Sequence, residues 1–188
     1  MNIKVKRGNS KLGKNTLIIN ITSSIDCPSK HLGLCAIPNR CYAMNPEYRF
    51  PQALPYRRLQ EVIWDNTPAD DIAYQLIEMQ KCAYHKMQYL RFSESGDFKC
   101  QADIYKMDDI ARMIKPYGLI TYGYTARRDL DYSKVENMVV NATGFMVANK
   151  IQLVNEYDNS MQLKCHNNCR ICNLCKTTGN KTIYFKIR

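Results

Sequence analysis

The sequence predicts an α/β protein, built either as a partial (β/α) barrel or as an open, mostly parallel sheet, with a cysteine-rich C-terminal tail. Two observations support this fold class. Short β-branched apolar segments alternate with longer segments of helical periodicity, which is typical of βαβ units. Four cysteines fall within "CHNNCRICNLC", residues 165–175. We expect an α/β core domain over residues 1–160 and a cysteine-rich segment over residues 161–188 packed on the same domain.

The first half of the chain contains one predicted strand and two predicted helices. "TLIINIT" (16–22) is short, apolar and β-branched, as a buried strand would be. It is followed by a loop rich in Pro, Gly, Ser and Cys. "PYRRLQEVIWDN" (55–66) predicts a helix, and "DIAYQLIEMQKCAY" (71–84) predicts a second one with its apolar residues on one face.

The second half continues the alternation of strands and helices. "QADIYKMDDIARMIKPYG" (101–118) is an amphipathic helix closed by Pro116 and Gly118, and "DYSKVEN" (131–137) predicts a short helix. The remaining strands are predicted at "MQYLRFS" (87–93), "LITYGYT" (119–125), "MVVNATG" (138–144), "ANKIQLVNEY" (148–157) and, at an edge, "KTIYFKI" (181–187).

Composition limits the class of protein and its compartment. A chain of 188 residues is one ordinary domain. No apolar run approaches the roughly 20 residues of a spanning helix, so no membrane partner is expected. The basic start is not followed by an apolar segment and a cleavage site, which argues against a signal peptide. We therefore expect a cytoplasmic protein, in which nine cysteines favour metal binding over disulfides.

The C-terminal cysteines are the strongest functional signal. Zinc sites usually join two separated Cys-x-x-Cys pairs, whereas overlapping Cys-x-x-Cys repeats wrap a short loop around an iron–sulfur cluster. The spacing predicts a metal-binding tail with a 4Fe–4S cluster, with zinc as the alternative. The predicted ligands are Cys165, Cys169, Cys172 and Cys175.

A second group of cysteines follows the first strand. Cys27, Cys35 and Cys41 lie in one loop, and three thiolates on a four-iron cluster would leave one iron open to a small molecule. Zinc bound with His31 is an equal alternative on spacing alone, and a third option is one site shared with the C-terminal cysteines.

The excess positive charge lies at the two ends of the chain. The net charge is +10, and residues 1–25 and 161–188 carry five and six basic residues without an acid. Such segments suit a nucleic-acid partner. Alternatively, they offset anionic cysteine–metal centres and aid solubility.

Five segments distributed along the chain form a recognisable set. They are "GNSKLGK" near the start, "CPS" through "CYA" (27–43), "RFSESGDF" (91–98), "YGYTARRD" (122–129) and the closing cysteine group. They span nearly the whole chain, and together, in this order, they resemble the phage gene product 88 family. The resemblance implies a phage protein in the host cell cytoplasm and supplies no defined activity.

A more distant likeness is to radical S-adenosylmethionine enzymes, which place a three-cysteine loop after the first strand of a partial barrel. That likeness implies cofactor binding by Tyr42, Ser95, Gly96 and Asp97. Two departures are the intervals of seven and five residues in the N-terminal group, where those enzymes have three and two, and a chain too short for a full barrel.

The strand ends also offer a substrate site, because the carboxyl ends of parallel strands meet at one edge of a sheet. Thr125, Arg127 and Arg128 follow the third strand, and arginine suits an anionic or nucleic-acid-related substrate.

The sequence leaves open whether the protein is a radical-type enzyme, a non-enzymatic metal module (Fe–S or Zn) that binds nucleic acid or a host protein, or a purely structural zinc protein. Catalytic residues and oligomeric state stay unassigned.

Overall fold

The computed structural model describes residues 2–187 and contains a seven-stranded open sheet. The strands are β1 (Lys6–Arg7), β2 (Thr16–Ile19), β3 (Tyr89–Phe92), β4 (Ile120–Thr125), β5 (Met138–Thr143), β6 (Asn149–Val154) and β7 (Thr182–Lys186). They lie side by side in chain order. β1 is antiparallel to β2, and every later pair is parallel. The predicted open, mostly parallel sheet is confirmed, and β7 is the predicted edge strand.

The helices lie mainly in the first two connections between parallel strands. Four of them separate β2 from β3, and one separates β3 from β4. Their bounds are α1 (Pro28–His31), α2 (Met44–Arg49), α3 (Ala53–Asn66), α4 (Ala69–Cys82) and α5 (Gln101–Ile114). No helix in the part of the chain that the structure describes is long and apolar enough to cross a membrane.

The two faces of the sheet have different partners. Leu90 and Phe92 join the buried apolar cluster formed with α3, α4 and α5, and the ring of Phe92 packs over Gly123 of β4. Because side chains alternate along a strand, Arg91 and Tyr122 point to the opposite face. The C-terminal cysteine-rich segment covers that second face, since Tyr122 lines a cavity together with the four C-terminal cysteines.

One predicted element is wrong. Residues 131–137 form turns between β4 and β5, where the sequence predicted a short helix. Hydrogen bonds hold this segment in an irregular conformation: the Tyr132 hydroxyl donates to the nearby Arg127 carbonyl at 2.9 Å, and the Asn137 amide donates to Asp108 of α5 at 2.9 Å. These bonds outweigh the weak helical tendency of so short a segment.

Candidate functional site

The N-terminal cysteines lie in the loop that leaves the carboxyl end of β2. Cys27 precedes α1 directly, and Cys35 and Cys41 follow in the next two turns, all three half-buried. Burial, together with the smaller effect of nearby Asp97, raises the pKa of the Cys27 thiol to about 12. Burial also raises the pKa of Cys35. Without a cation these thiols are protonated, and a bound metal would reverse this preference because it favours thiolates.

This loop is fastened to the helices by a buried carboxylate. Glu47 of α2 accepts the backbone N–H groups of Ser24 and Ile25 at 2.8 and 2.9 Å. Its other partner is the guanidinium of Arg57, which also donates to the Ala43 carbonyl at 2.8 Å. The position of the cysteine loop therefore depends on α2 and α3 as well as on the strand it follows.

The predicted cofactor-binding turn contacts the same loop. Asp97 is buried, and it accepts hydrogen bonds from the Ser29 hydroxyl at 2.6 Å and the Ala126 N–H at 2.8 Å. The Ser95 hydroxyl donates to the Thr22 carbonyl at 3.2 Å. These bonds join the ends of β2, β3 and β4, so Ser95 and Asp97 already have partners within the chain.

Gly96 lies within this junction, and Tyr42 contacts the residue Glu94 beside it. A Cβ at Gly96 would lie 2.2 Å from Thr22 Cγ2, and the φ of Gly96 is +71°, so the chain needs glycine there for close contact with its own backbone. Tyr42 is 65% exposed, and its hydroxyl donates to the Glu94 carbonyl at 2.9 Å.

The predicted substrate-binding residues divide into two groups. Thr125 and Arg127 are buried, and Arg127 forms a bidentate ion pair with Asp129, with both N···O distances 2.8 Å. The Thr125 hydroxyl lies 3.2 Å from that of Tyr132. Arg128 is exposed, and among residues 2–187 it forms no ion pair. Of the three, Arg128 has the side chain that is free to meet a substrate.

The C-terminal cysteines are brought together on the second face of the sheet. All four line one small cavity, about 20 Å³, against Tyr122 and Tyr124 of β4. Burial, together with the smaller effect of the other three thiols, raises the pKa of Cys175 to about 11. The Asn141 amide of β5 donates to the Cys175 carbonyl at 2.8 Å, which attaches the segment to the sheet.

Positive charge surrounds this cavity. Lys11 and Lys176 line it, and no acidic residue does. Lys176 is buried, and its Nζ donates to the Cys169 carbonyl at 2.8 Å. Arg91 is also buried next to the thiols: it interacts electrostatically with Cys169, yet its Nε has no hydrogen-bond partner.

Arg91 also reaches toward the N-terminal loop. Its Nη2 donates to the Tyr42 hydroxyl at 3.1 Å, and its guanidinium carbon lies 5.1 Å from the centre of the Tyr124 ring. Sequence reasoning missed Arg91 and Lys176 as site residues. The alternation of β3 places Arg91 opposite the core face, but only the path of the tail identifies what it meets there.

Coordination geometry itself is not present. Among residues 2–187, no three His, Cys, Asp or Glu side chains lie close enough to hold one metal ion, so the metal-binding character of the tail stays a prediction. All nine cysteines are free thiols. His31 Nε2 lies 3.0 Å from the Ile25 carbonyl, and His166 is exposed. The structure places one set of thiols in the loop after β2 and a second set on the second face of the sheet.

Comparison with known proteins gives a family and no activity. The model of the gene product 88 family matches residues 3–182. No curated protein and no solved structure matches the chain, so the likeness to radical S-adenosylmethionine enzymes receives no support from them. The family match covers nearly the whole chain and agrees with the resemblance noted in its motifs. The chain belongs to the gene product 88 family.

Proposed function

We propose that this protein binds an iron–sulfur cluster through Cys165, Cys169, Cys172 and Cys175. The observation that carries the proposal is the cavity on the second face of the sheet, which four thiols line together with lysines and no acid. Thiolates are the ligands that iron–sulfur clusters and zinc prefer. The donor set therefore fits such a group.

The buried cations support the same conclusion. Among residues 2–187 neither Lys176 nor Arg91 forms an ion pair, although Glu94 interacts electrostatically with Arg91. A buried charge without a close counter-ion destabilises a protein by several kcal/mol. Four thiolates around Zn²⁺ or around a 4Fe–4S²⁺ core carry two negative charges in total. A metal–thiolate centre would therefore supply the anion that these two cations lack.

The spacing of the ligands favours a cluster over zinc. The four cysteines follow one another within residues 165–175, so a single short loop would surround the bound group, as in ferredoxin-type sites. Accommodating a cluster requires this loop to open outward. Ile171 of this loop is 80% exposed and leaves room for that movement.

The N-terminal cysteines suggest a second centre with a different role. Cys27, Cys35 and Cys41 would hold a cluster through three ligands, which leaves a position for a small molecule at the carboxyl edge of the sheet. This favours a second candidate function, a radical S-adenosylmethionine-like enzyme. The specific support is the strand order, because the loop follows the first of six parallel strands that lie in chain order.

In that enzyme the bound cofactor would supply one-electron chemistry, and the chain would supply orientation. Tyr42 is exposed next to the loop, whereas Ser95 and Asp97 are engaged with Thr22 and Ser29. Their part would be to hold the cysteine loop in place. Arg128 would meet an anionic substrate.

The test is metal analysis of protein purified without oxygen. We expect about four iron atoms and four sulfides per cluster. The quadruple Cys165, Cys169, Cys172, Cys175→Ser variant should lose one cluster, and the triple Cys27, Cys35, Cys41→Ser variant should lose the other. The matched control changes Cys82 and Cys100 to Ser, because both are exposed and outside the two groups.

Each outcome separates the candidates. Stoichiometric zinc without iron would indicate a non-enzymatic, zinc-stabilised module instead of a cluster protein. The absence of both metals would overturn the proposal. For the enzyme, added S-adenosylmethionine should change the electron paramagnetic resonance spectrum of the reduced wild type and of the quadruple variant, but not of the triple variant. An unchanged wild-type spectrum would reject the enzyme and leave the C-terminal cluster standing.

A further inference from the structure

The two basic ends of the chain meet in one groove. Its lining residues are Arg7, Asn9, Ser10, Gly13, Lys14 and Arg170, and none of them is acidic. The first five belong to the segment around β1, and Arg170 belongs to the cysteine-rich segment. Residues that are far apart in sequence thus form one positively charged surface.

Direct contacts fix this arrangement. Lys11 Nζ donates to Asn167 Oδ1 at 3.1 Å, and a Cβ on Gly13 would lie 3.3 Å from Arg170 Cγ. Arg7 Nε donates to the Lys14 carbonyl at 3.4 Å. The N-terminal loop and the cysteine-rich segment therefore pack against each other beside the groove.

The charges of the groove are not neutralised within the chain. In the region from residue 2 to 187, Arg7, Lys14 and Arg170 take part in no ion pair. The nearest acid bonded to a groove residue is Glu94, which contacts Asn9 and is itself paired with Lys6 at 3.2 Å. Like charges held close together repel, so the groove favours an anionic partner.

An aromatic surface adjoins this groove. Arg7 Nη2 donates to the His85 carbonyl at 3.1 Å. The neighbouring Tyr84 is 94% exposed, and its ring lies edge-on to that of His85 with the centroids 4.7 Å apart. An exposed ring beside a basic groove is the combination that binds single-stranded nucleic acid, because phosphates need cations and unpaired bases need a stacking partner.

We propose that this groove binds single-stranded nucleic acid, with phosphates at Arg7, Lys14 and Arg170 and a base stacked on Tyr84. A single strand fits better than a duplex, whose bases are not free to stack on a side chain. The inference goes beyond metal binding. It depends on the cysteine-rich segment only through the position of Arg170, so the metal-loaded protein is the one to test.

The experiment measures binding of fluorescent 20-nucleotide single-stranded DNA and RNA by anisotropy over a series of salt concentrations. We expect affinity to fall steeply as salt rises. The Arg7→Gln, Lys14→Gln, Arg170→Gln triple variant should bind at least tenfold more weakly, with the log–log salt slope reduced by about 2. Tyr84→Ala should weaken binding about tenfold and leave the slope unchanged, since stacking is uncharged.

A charge-matched control uses exposed cations elsewhere. Lys81→Gln, Arg112→Gln and Lys115→Gln together remove the same charge from α4 and the end of α5, and we expect less than a threefold change. Metal content and unfolding temperature are measured for every variant, so that loss of the cluster is distinguished from loss of the groove.

Three results would overturn the proposal. The first is that the protein does not bind the oligonucleotide at 50 mM salt. The second is that the charge-matched control weakens oligonucleotide binding as much as the groove variant does. The third is that vesicles of anionic lipid displace the oligonucleotide at equal charge concentration. The last result would assign the groove to a membrane surface instead.

Discussion

At the scale of single residues, Lys176 places a buried cation beside the proposed cysteine ligands. It is buried, its Nζ bonds to the Cys169 carbonyl, and it lies 4.1 Å from the centre of the Tyr89 ring. In Lys176→Met the apolar stem is kept and the charge is lost. We expect roughly 10- to 100-fold weaker metal retention, the usual effect of removing a residue that supports metal ligands.

The measurement is loss of metal to a competing chelator. Lys186→Met is the control, because Lys186 is exposed on β7 and away from the cavity. Equal retention by the wild type and by Lys176→Met would show that this cation does not compensate a metal–thiolate centre.

A second residue, Glu47, makes a pH-dependent contribution to stability. Burial alone raises its pKa, but hydrogen bonds from Ser24, Arg57 and Ile25 outweigh burial and leave the pKa below its ordinary value of 4.5. Because the folded-state pKa is lowered, the contribution is complete above pH 4.5 and is lost as the pH falls through the folded-state value.

We expect Glu47→Gln to cost about 3 kcal/mol at pH 7, since it leaves Arg57 buried without an anion. That loss corresponds to a fall in unfolding temperature of roughly 6–12 °C. The difference from the wild type should shrink below pH 4.5. Glu78→Gln removes an exposed pair with Lys81 and should change stability by less than about 0.5 kcal/mol. A pH-independent difference would contradict the assignment to an ionised Glu47.

Residues of the site differ in how far the sequence reveals them. The seven cysteines can be proposed as ligands from the sequence because spacing is a local property of the chain. The partners of Asp97, from the β2 loop and from the end of β4, are long-range contacts that no local pattern encodes. Arg91 and Lys176 were missed for the same reason, because a buried cation is significant only once its neighbours are known.

At the scale of elements, the junction of the β2 and β3 loops depends on Gly96. A side chain there would meet Thr22 Cγ2 at 2.2 Å and two carbonyl oxygens at 2.8 Å, at a φ of +71°. We expect Gly96→Ala to destabilise the metal-loaded protein by about 2 kcal/mol, through strain and overlap together. Denaturant unfolding measures this without any added cofactor.

Gly118→Ala separates the effect of backbone strain from that of steric overlap. Gly118 has a φ of +83°, but nothing lies within 4 Å of its added Cβ, so this variant has the conformational strain alone and should cost about 1 kcal/mol. If Gly96→Ala is as stable as the wild type and loses only its response to S-adenosylmethionine, Gly96 serves the cofactor and not the junction.

Most elements followed from the sequence because their pattern and their tertiary environment agree. β3, β5 and α5 have apolar residues where the core needs them. Residues 131–137 also pack Tyr132 and Val135 against the core, but the Asn137 amide bonds to Asp108 of α5, and the segment forms turns instead of a helix. β1 was missed because its two residues, Lys6 and Arg7, pair with β2 only through the backbone.

At the scale of the whole molecule, the two faces of the sheet are stabilised differently. Helices α3, α4 and α5 cover the first face with a continuous apolar cluster. The second face is covered by a segment whose residues 165–173 contain no regular helix or strand, and whose attachments are hydrogen bonds such as that from Asn141. The metal centre would therefore stabilise the second face more than the first.

Removal of metal should accordingly loosen the tail and leave the core folded. With a chelator and a reductant present, we expect trypsin to cut at Lys164, Arg170 and Lys176 at least tenfold faster, because cleavage follows the population of the opened segment. The far-UV circular dichroism of the helices should change little. The quadruple Cys→Ser variant provides the control, since its rapid digestion should be unaffected by the chelator. A cooperative loss of the helical signal on chelation would instead show that the whole fold, and not the tail alone, depends on the metal.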